Sequence, residues 1–529
     1  MLILNSLSYI HPDKYLLFDN ISLNIATGNK VALLGNNGVG KSTLLKIIAG
    51  LLPPSQGFIQ TDTKPYYVPQ VFGQYDHVTI AQALQAAGKL NALQQILNGD
   101  TSDVNYSILN DDWTIEERCH EALQYWQIDD IDLQQIMSTL SGGQKMRVLL
   151  AGIYVNNPEF ILLDEPSNHL DTAGRILLYD FIESSASTLL IISHDRKLLN
   201  KLDTVCELTP DGINVYGGNY NFYAEQKKME LQALNEDVRD KEKSLRKARE
   251  KERETIERQQ KLNARGKRKQ EKAGLPTIVM NSFRNNAEKS TSKLKGVHAA
   301  KTASIENELQ ELRKALPDID TMRFGFDDTL LHKGKILFRA ENINFSYNEN
   351  PLWQHDLNFE IISGERIALK GKNGSGKTTL IKITLGRIKA GKGSVYSAIN
   401  NAVYIDQDYS LINNNLSVYE QAEQFNNGAL QEHEIKNRLN RFLFTKTSWN
   451  KSCAGLSGGE RMRLMLCCLT IANQAPDMII LDEPTNNLDI QNIEILTTAI
   501  NQYNGTLIIV SHDAIFLEEV GITRNIELI

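Results

Sequence analysis

Four motifs stand in this chain in one order, and the same four stand again in its second half. The first set is GNNGVGKS (Gly35 to Ser42), LSGGQKMR (Leu140 to Arg147), ILLDEPSNHLD (Ile161 to Asp171) and SHD (Ser193 to Asp195). The second is GKNGSGKT (Gly371 to Thr378), LSGGERMR (Leu456 to Arg463), IILDEPTNNLD (Ile479 to Asp489) and SHD (Ser511 to Asp513). Lys41 and Lys377 are 336 residues apart, and His194 and His512 are 318 apart. In both copies 30 residues separate the DEP aspartate from the SHD histidine, Asp164 to His194 and Asp482 to His512. Eight motifs in two registers are not an accident of composition. They demand two domains of one fold, and 529 residues are in any case too many for a single core.

Each copy reads as α/β. Short apolar runs such as KVALLG (Lys30 to Gly35) and TLLIIS (Thr188 to Ser193) have the length of buried strands. Helical patterns open at Lys41 and at Gly142, an alternation that predicts a mainly parallel sheet. The copies differ in one interval: Gln70 to Ser141 spans 71 residues, whereas Gln407 to Ser457 spans 50. The first copy therefore carries 21 extra residues, placed at about 89–118. The predicted organisation is a first domain over 1–223 with this arm-like insertion, a linker over 224–316 and a second domain over 317–529.

The motifs specify nucleotide chemistry. GNNGVGKS and GKNGSGKT match GxxxxGK[ST], and each follows an apolar run and opens a helical pattern, as that loop requires. Its glycines let backbone N–H groups wrap phosphates, and the helix that follows adds its positive end. The predicted ATP-binding residues are Gly35, Asn36, Asn37, Gly38, Gly40, Lys41, Ser42 and Thr43, then Gly371, Asn373, Gly374, Gly376, Lys377, Thr378 and Thr379. Lys41 and Lys377 are expected on the β- and γ-phosphates, and Ser42 and Thr378 on Mg²⁺. Asp164 and Asp482 end apolar strands, where a carboxylate serves the Mg²⁺ shell. Glu165 and Glu483 follow at once, placed to polarise the attacking water as general bases. LSGGQ and LSGGE set Ser141, Gly142 and Gly143, and Ser457, Gly458 and Gly459, at helix starts that suit anions. Tyr9 and Tyr347 are candidates to stack on adenine, although an aromatic on a strand serves a core as readily.

The linker differs in kind. Phe222 to Ala264 contains no Gly or Pro and is rich in charged residues, Gln, Leu and Ala, which predicts a helix of about 60 Å. Breakers then cluster at Gly266, Gly274 and Pro276, and a second helical stretch runs from about Asn281 towards Leu316. The pattern predicts an antiparallel helical hairpin, with Leu231, Leu234, Val238, Leu245, Ile256 and Leu262 facing Ile305, Leu309 and Leu312. Charge singles the linker out further. The whole chain carries −7, yet residues 224–316 hold 24 basic and 15 acidic residues, and 258–301 hold 12 and 2. A net +10 in one segment of an acidic protein points to a polyanion met by that segment.

Bulk properties exclude other classes. Hydrophobic content of 41% and charged content of 23% are those of a globular domain. No apolar run approaches the ~18 residues that span a bilayer, and the start has no leader-like pattern, so a cytoplasmic protein without a membrane segment is expected. Cys119, Cys206, Cys453, Cys467 and Cys468 lack metal-ligand spacing and predict free thiols.

Both halves resemble ATP-binding cassette proteins, in which the signature of one cassette caps the nucleotide on the other. The resemblance implies two composite sites, each with one ATP and one Mg²⁺. The first joins Lys41, Ser42, Gln70, Asp164, Glu165 and His194 to Ser457, Gly458 and Gly459. The second joins Lys377, Thr378, Gln407, Asp482, Glu483 and His512 to Ser141, Gly142 and Gly143. It further implies that His194 and His512 contact the γ-phosphate. Gln70 in YVPQ and Gln407 in YIDQD are similar to the family's Mg²⁺- and water-sensing glutamines, 29 and 30 residues after the P-loop lysines, although the second lacks the usual Pro.

Tandem cassettes, a basic helical linker and the insertion together resemble the ABC-F family of ribosome-associated ATPases. That resemblance implies an ATP-closed form at the ribosomal exit site, released by hydrolysis, acting as a monomer with an intramolecular cassette pair. Its linker reaches towards peptidyl-site tRNA and the peptidyl-transferase centre, and its arm towards the exit-site stalk protein. Carried over, Arg265, Lys267, Arg268, Lys269, Lys272 and Arg284 meet phosphates of tRNA or large-subunit rRNA. Ile278, Val279, Met280 and Phe283 either pack the hairpin or insert beside RNA. Asp111, Asp112, Glu116 and Glu117 make the arm acidic, which favours ribosomal protein over rRNA there. Two roles remain open: a translation factor that relieves stalled ribosomes, or an antibiotic-resistance protein that protects them. A peripheral ATPase pair of a membrane importer has no use for the basic tip. DNA-associated cassette ATPases usually carry zinc-binding cysteines or much longer coiled coils.

Overall fold

The computed structural model describes the chain apart from residues 101, 129–130, 273–291, 294–295, 298, 314–333, 348–349, 373, 428–429, 473 and 529, and apart from the side chains of 266–267 and 269–272. It forms two compact units: Met1–Asn221 with Met322–Ile529, and Phe222–Thr321. Both sequence repeats thus belong to one unit.

The first repeat contains β1 (Leu2–Ile10), β2 (Leu16–Ile25), β3 (Lys30–Leu34), β4 (Gln56–Thr61), β5 (Tyr66–Val68), β6 (Phe160–Asp164), β7 (Thr188–Ile192), β8 (Thr204–Thr209) and β9 (Gly212–Tyr216). The second contains β10 (Ile336–Asn344), β11 (Leu357–Ile362), β12 (Arg366–Gly371), β13 (Lys392–Ser397), β14 (Ala402–Ile405), β15 (Met478–Asp482), β16 (Thr506–Val510) and β17 (Arg524–Leu528). Each repeat has a three-stranded antiparallel sheet, β2-β1-β4 or β11-β10-β13. Each also has a core sheet, β5-β6-β7-β3-β8-β9 or β14-β15-β16-β12-β17, parallel except for the β8–β9 hairpin. The predicted α/β class with parallel cores is what is found.

Strand order converts distant motifs into neighbours. β6 and β7 are buried along their whole length, so FILLD and TLLII can only sit inside a sheet covered on both faces. Their register sets Asp164 beside Ile192, just before Ser193 and His194. β3 is the next strand and ends at the P-loop. Three motifs therefore meet at the carboxyl ends of adjacent strands, where α/β sheets hold ligands. Leu33, Leu162 and Leu190 are fully buried beneath them, each adding about 1.5–3 kcal/mol by burial. The P-loop helix Lys41–Ile48 begins from Gly40 at φ 104°, where an added Cβ would lie 2.7 Å from Leu17 Cδ2. Only glycine meets both conditions.

The additional residues of the first repeat build helices Ala87–Leu97 and Asp103–Leu109 ahead of Ile115–Tyr125. Asp112, one of the four acidic residues noted in the arm, is half-buried and paired. It accepts from Arg118 at 2.6 Å and Lys89 at 2.7 Å, which hold its carboxyl below the usual range. Arg118 Nε also donates to Val155 O at 3.0 Å, tying the arm to the helix Gly142–Asn156.

One helix runs unbroken over Tyr220–Lys272, 53 residues or about 80 Å, and all but its first two residues belong to the second unit. It passes through Gly266, where a break was expected: one glycine costs only about 1 kcal/mol, and its Lys, Arg and Gln neighbours favour helix. Residues 299–313 are helical and antiparallel to it, linked by Arg249–Glu306 at 2.5 Å, Arg313–Glu242 at 2.6 Å and Lys241–Glu308. Val238 and Leu309 are buried, but Leu262 is 51% exposed and does not join the seam assigned to it. All five cysteines are free and buried.

Candidate nucleotide sites

The two P-loops hold their lysines alike. Lys41 Nζ donates to Gly35 O at 2.6 Å and Asn36 O at 3.2 Å, and Lys377 Nζ donates to Gly371 O at 2.8 Å and Lys372 O at 3.0 Å. Burial lowers the pKa of both lysines, opposed by the acidic residues of each site. An ammonium so desolvated is poised for a stronger anionic partner. Ser42 Oγ donates to Asp164 Oδ1 at 3.1 Å, and Tyr67 OH donates to Asp164 Oδ2 at 3.3 Å. In the second repeat Tyr404 OH donates to Asp482 Oδ2 at 2.8 Å. These tyrosines were missed, although each stands three residues before its glutamine in both copies. Burial raises the pKa of Asp164 and Asp482.

Glu165 and Glu483 adopt φ of 52° and 49°, a left-handed conformation that costs a non-glycine residue about 1–2 kcal/mol. Their amides hold it by donating to Ile192 O at 2.9 Å and Val510 O at 2.8 Å on the neighbouring strands. The carboxylates face the histidines: His194 Nε2 is 3.2 Å from Glu165 Oε1, and His512 Nε2 is 3.4 Å from Glu483 Oε1. Burial pushes Glu165 well up and Glu483 up to about 7. It pushes His194 down and His512 down to about 4. Four buried atoms here lack a well-aligned hydrogen-bond partner: Glu165 Oε1, His194 Nδ1, Glu483 Oε2 and His512 Nε2. Such groups are rare unless a ligand or water meets them.

The signature serines cap helices. Ser141 and Ser457 close capping boxes with Gln144 and Glu460 on helices Gly142–Asn156 and Gly458–Ile471. The capping box accepts either Gln or Glu, which explains LSGGQ beside LSGGE.

Contacts across the repeats complete the geometry. A cavity of about 380 Å³ is lined by Gly38, Gly40, Lys41, Ser42, Thr43, Gln70, Asp164, Glu165 and His194 of the first repeat, and by Ser457 and Asn487 of the second. Asn37 N donates to Asp489 Oδ2 at 2.9 Å, Asn37 Nδ2 to Asn487 O at 3.2 Å and Gln70 Nε2 to Asn487 Oδ1 at 3.4 Å. In the other direction, Thr172 Oγ1 lies 3.1 Å from His512 Nδ1. Arg196 Nη1 pairs with Glu519 Oε1 at 2.5 Å. Sequence reading placed Ser457 opposite the first P-loop, but assigned no role to Thr172, Arg196, Asn487, Asp489 or Glu519, whose partners are far away in the chain.

Other predicted residues are placed as follows. Tyr9 is half-buried and packs against the core on Phe18, ring centroids 6.2 Å apart, and the cavity wall at that end is His11 and Leu17. Tyr347 is 65% exposed beside the second P-loop helix, its hydroxyl 2.9 Å from Thr379 Oγ1. Gln407 is exposed. Arg265 and Arg268 are exposed on the long helix. Asn373, Arg284, Ile278, Val279, Met280 and Phe283, and the side chains of Lys267, Lys269 and Lys272, lie outside the described residues.

The residues present suit Mg-ATP. Among the described residues no cluster of His, Cys, Asp and Glu stands ready to hold a metal alone. Ser42 and Asp164 offer two oxygens, which matches a Mg²⁺ that comes with phosphates and keeps waters.

A family profile described as ABC transporter matches residues 18–168 and 354–486. The chain is 31% identical to the ATP-binding protein YbiT of Escherichia coli O157:H7, over 97% of this chain and 93% of that one. It is 29% identical to ABC transporter F family member 5 of Arabidopsis thaliana, over 96% and 72%. Identity is also 29% to ribosome protection protein VmlR of Bacillus subtilis strain 168, over 99% and 86%. The solved archaeal ribosome recycling factor aABCE1, in complex with ribosomal stalk protein aP1, shares the fold with a TM-score of 0.59 at 18% identity, over 97% and 86%. No described helix is long and apolar enough to cross a membrane. With both repeats matched and relatives aligned over nearly the whole of this chain, the chain belongs to the ABC-F family of ATP-binding cassette proteins and is an ATP hydrolase.

Proposed function

We propose that this chain is a cytoplasmic ribosome-binding ATPase whose two cassettes close on ATP at two composite sites and part after hydrolysis. The observation that carries the composite reading is the first cavity, where P-loop, Asp164, Glu165 and His194 share walls with Ser457 and Asn487 of the other cassette. Lys41 and Lys377 exchange their loop carbonyls for phosphate oxygens. Ser42 with Asp164, and Thr378 with Asp482, hold Mg²⁺, aided by Gln70 and Gln407; the ion supplies charge neutralisation of the phosphates. Glu165 and Glu483, aligned by their strand-anchored amides, take the proton of the attacking water. His194 and His512, kept neutral by burial, donate towards the γ-phosphate from Nε2. Tyr347 stacks on adenine at the second site.

The ribosome reading rests on the +10 charge of residues 258–301 together with the relationship to a ribosome protection protein over nearly the whole chain. Arg265, Lys267, Arg268, Lys269, Lys272 and Arg284 engage RNA phosphates at the peptidyl-site tRNA or the large subunit, and the arm engages exit-site stalk protein. The outcome is relief of stalled or drug-bound ribosomes. Co-sedimentation of the Glu165→Gln, Glu483→Gln protein with whole ribosomes tests it. ATP-dependent binding, lost when the six tip residues are neutralised, is expected. Retention of ATP without ribosome binding contradicts it.

A further inference from the structure

The switch histidines of the two cassettes meet different neighbours. His512 Nδ1 lies 3.1 Å from the Thr172 hydroxyl of the opposite cassette, while His194 Nδ1 is buried with no hydrogen-bond partner. The difference is written in the sequence. Thr172 directly follows Asp171, which N-caps its helix by accepting from Gly174 N, and Ile490 directly follows Asp489, which caps the equivalent helix through Asn492 N. The matching position thus carries a hydroxyl on one cassette and a hydrocarbon on the other.

A neutral imidazole has one N–H and one bare nitrogen. Burial, with the cations Lys377 and Arg175 nearby, keeps His512 neutral. Nε2 faces the acceptor Glu483 Oε1 at 3.4 Å, which favours the ring proton there; the bare Nδ1 then accepts from the Thr172 hydroxyl. The same bond fixes the ring's rotation. His194 presents Nε2 to Glu165 at 3.2 Å, with Nδ1 left unpaired. A second difference falls one turn further along. Arg175 is buried on the first cassette, Nη1 3.3 Å from Asp195 Oδ2, where the second cassette has Ile493.

We propose that Thr172 is a positioning residue acting across the cassette interface: its hydroxyl holds the orientation of His512 with Nε2–H towards the site, so the second ATP site is aligned by closure itself, and the first, opposite Ile490, is not. The two sites are therefore inequivalent, the second turning over faster once the cassettes are closed. This rests on the composite-site reading given above.

The test measures steady-state ATP hydrolysis by the full chain with one site silenced. In a Glu165→Gln background, which reports the second site, Thr172→Val is expected to lower kcat about tenfold with little change in KM, and Thr172→Ser to restore most of it. In a Glu483→Gln background, which reports the first site, the loss is several-fold smaller, and Ile490→Thr raises kcat. Equal losses at both sites, failure of the serine to rescue, or an unchanged second-site kcat overturns the proposal. If the Glu165→Gln, Glu483→Gln protein itself still hydrolyses ATP, the residue roles fail first, and that outcome is distinct from failure of Thr172.

Discussion

The first candidate ATP site is tied across the repeats through its P-loop, and the second through its histidine. At the first, Asn37 donates to Asp489 and Asn487 of the other cassette. At the second, Thr172 of the other cassette meets His512. The aspartates that end the two DEP motifs have correspondingly different partners. Asp171 pairs with Arg147 at 2.6 Å, and Gly174 leaves the room: a Cβ there would lie 3.2 Å from Arg147 Nε. In the other cassette Asn492 stands between, accepting from Arg463 and donating to Asp489 Oδ1, while Asp489 Oδ2 accepts from Asn37. Near-identical motifs thus do not make equivalent sites. What faces each site is supplied by the opposite cassette, and those positions have diverged: Thr172 against Ile490, Gly174 against Asn492, Arg175 against Ile493 and Arg196 against Ala514.

The broadest way to break this comparison is to remove the general bases. Glu165→Gln with Glu483→Gln is expected to cut kcat by about 100-fold or more while ATP binding persists, measured by turnover and nucleotide retention. Each single variant should keep a distinct residual rate. If either single variant already abolishes turnover, only one site hydrolyses and the comparison collapses.

Next in size is the Arg196–Glu519 pair, which is well buried on its arginine side and has no equivalent, since Ala514 stands at the position matching Arg196. Arg196→Glu should raise the ATP concentration needed for closure, read by fluorescence transfer between cassettes, about tenfold, or ~1.4 kcal/mol. Glu519→Arg added to it should recover most of the loss. Absence of recovery would show that the pair does not link the cassettes.

A pH profile sharpens the second site alone. Glu483 is raised to about 7 by burial, with Arg175 the leading opposing charge. The base acts as carboxylate, so kcat/KM in the Glu165→Gln background should rise with pH through about 7. Arg175→Ala removes the opposing cation, which raises the Glu483 pKa and moves this limb to higher pH. A shift to lower pH contradicts the placement.

The smallest effect concerns the arm that only the first cassette carries. Asp112→Asn should lower the melting temperature by about 2 °C, for loss of about 1 kcal/mol from partly exposed pairs. Because the Asp112 carboxyl is held below its ordinary range, its contribution is full at neutral pH and is lost as acid protonates it. A melting temperature equal to wild type at neutral pH removes Asp112 from the arm's support.

Much of this molecule was legible because its motifs sit where backbone physics leaves few choices. FILLD and TLLII are too apolar to lie anywhere but inside a covered sheet, and their ends carry Asp164 and the SHD turn. What escaped reading was mostly non-local. Gly266 looked like a helix end, but one unfavourable residue does not stop a helix of 53. Tyr9 pairs with Phe18 across two strands and packs against the core, a contact that its place in the sequence did not show. Thr172 and Arg196 carried no motif signal at all, since their partners lie 340 and 323 residues away.

The central claim is that each ATP site is built from both cassettes, and Ser457→Arg tests it most directly. The bulky cation enters the wall of the first cavity, whose catalytic residues lie on the other half of the chain. In the Glu483→Gln background, where only the first site turns over, hydrolysis is predicted to fall by about 100-fold; in the Glu165→Gln background it should stay within severalfold of the parent. The opposite pattern, with Ser457→Arg silencing the site of its own cassette, would contradict the account.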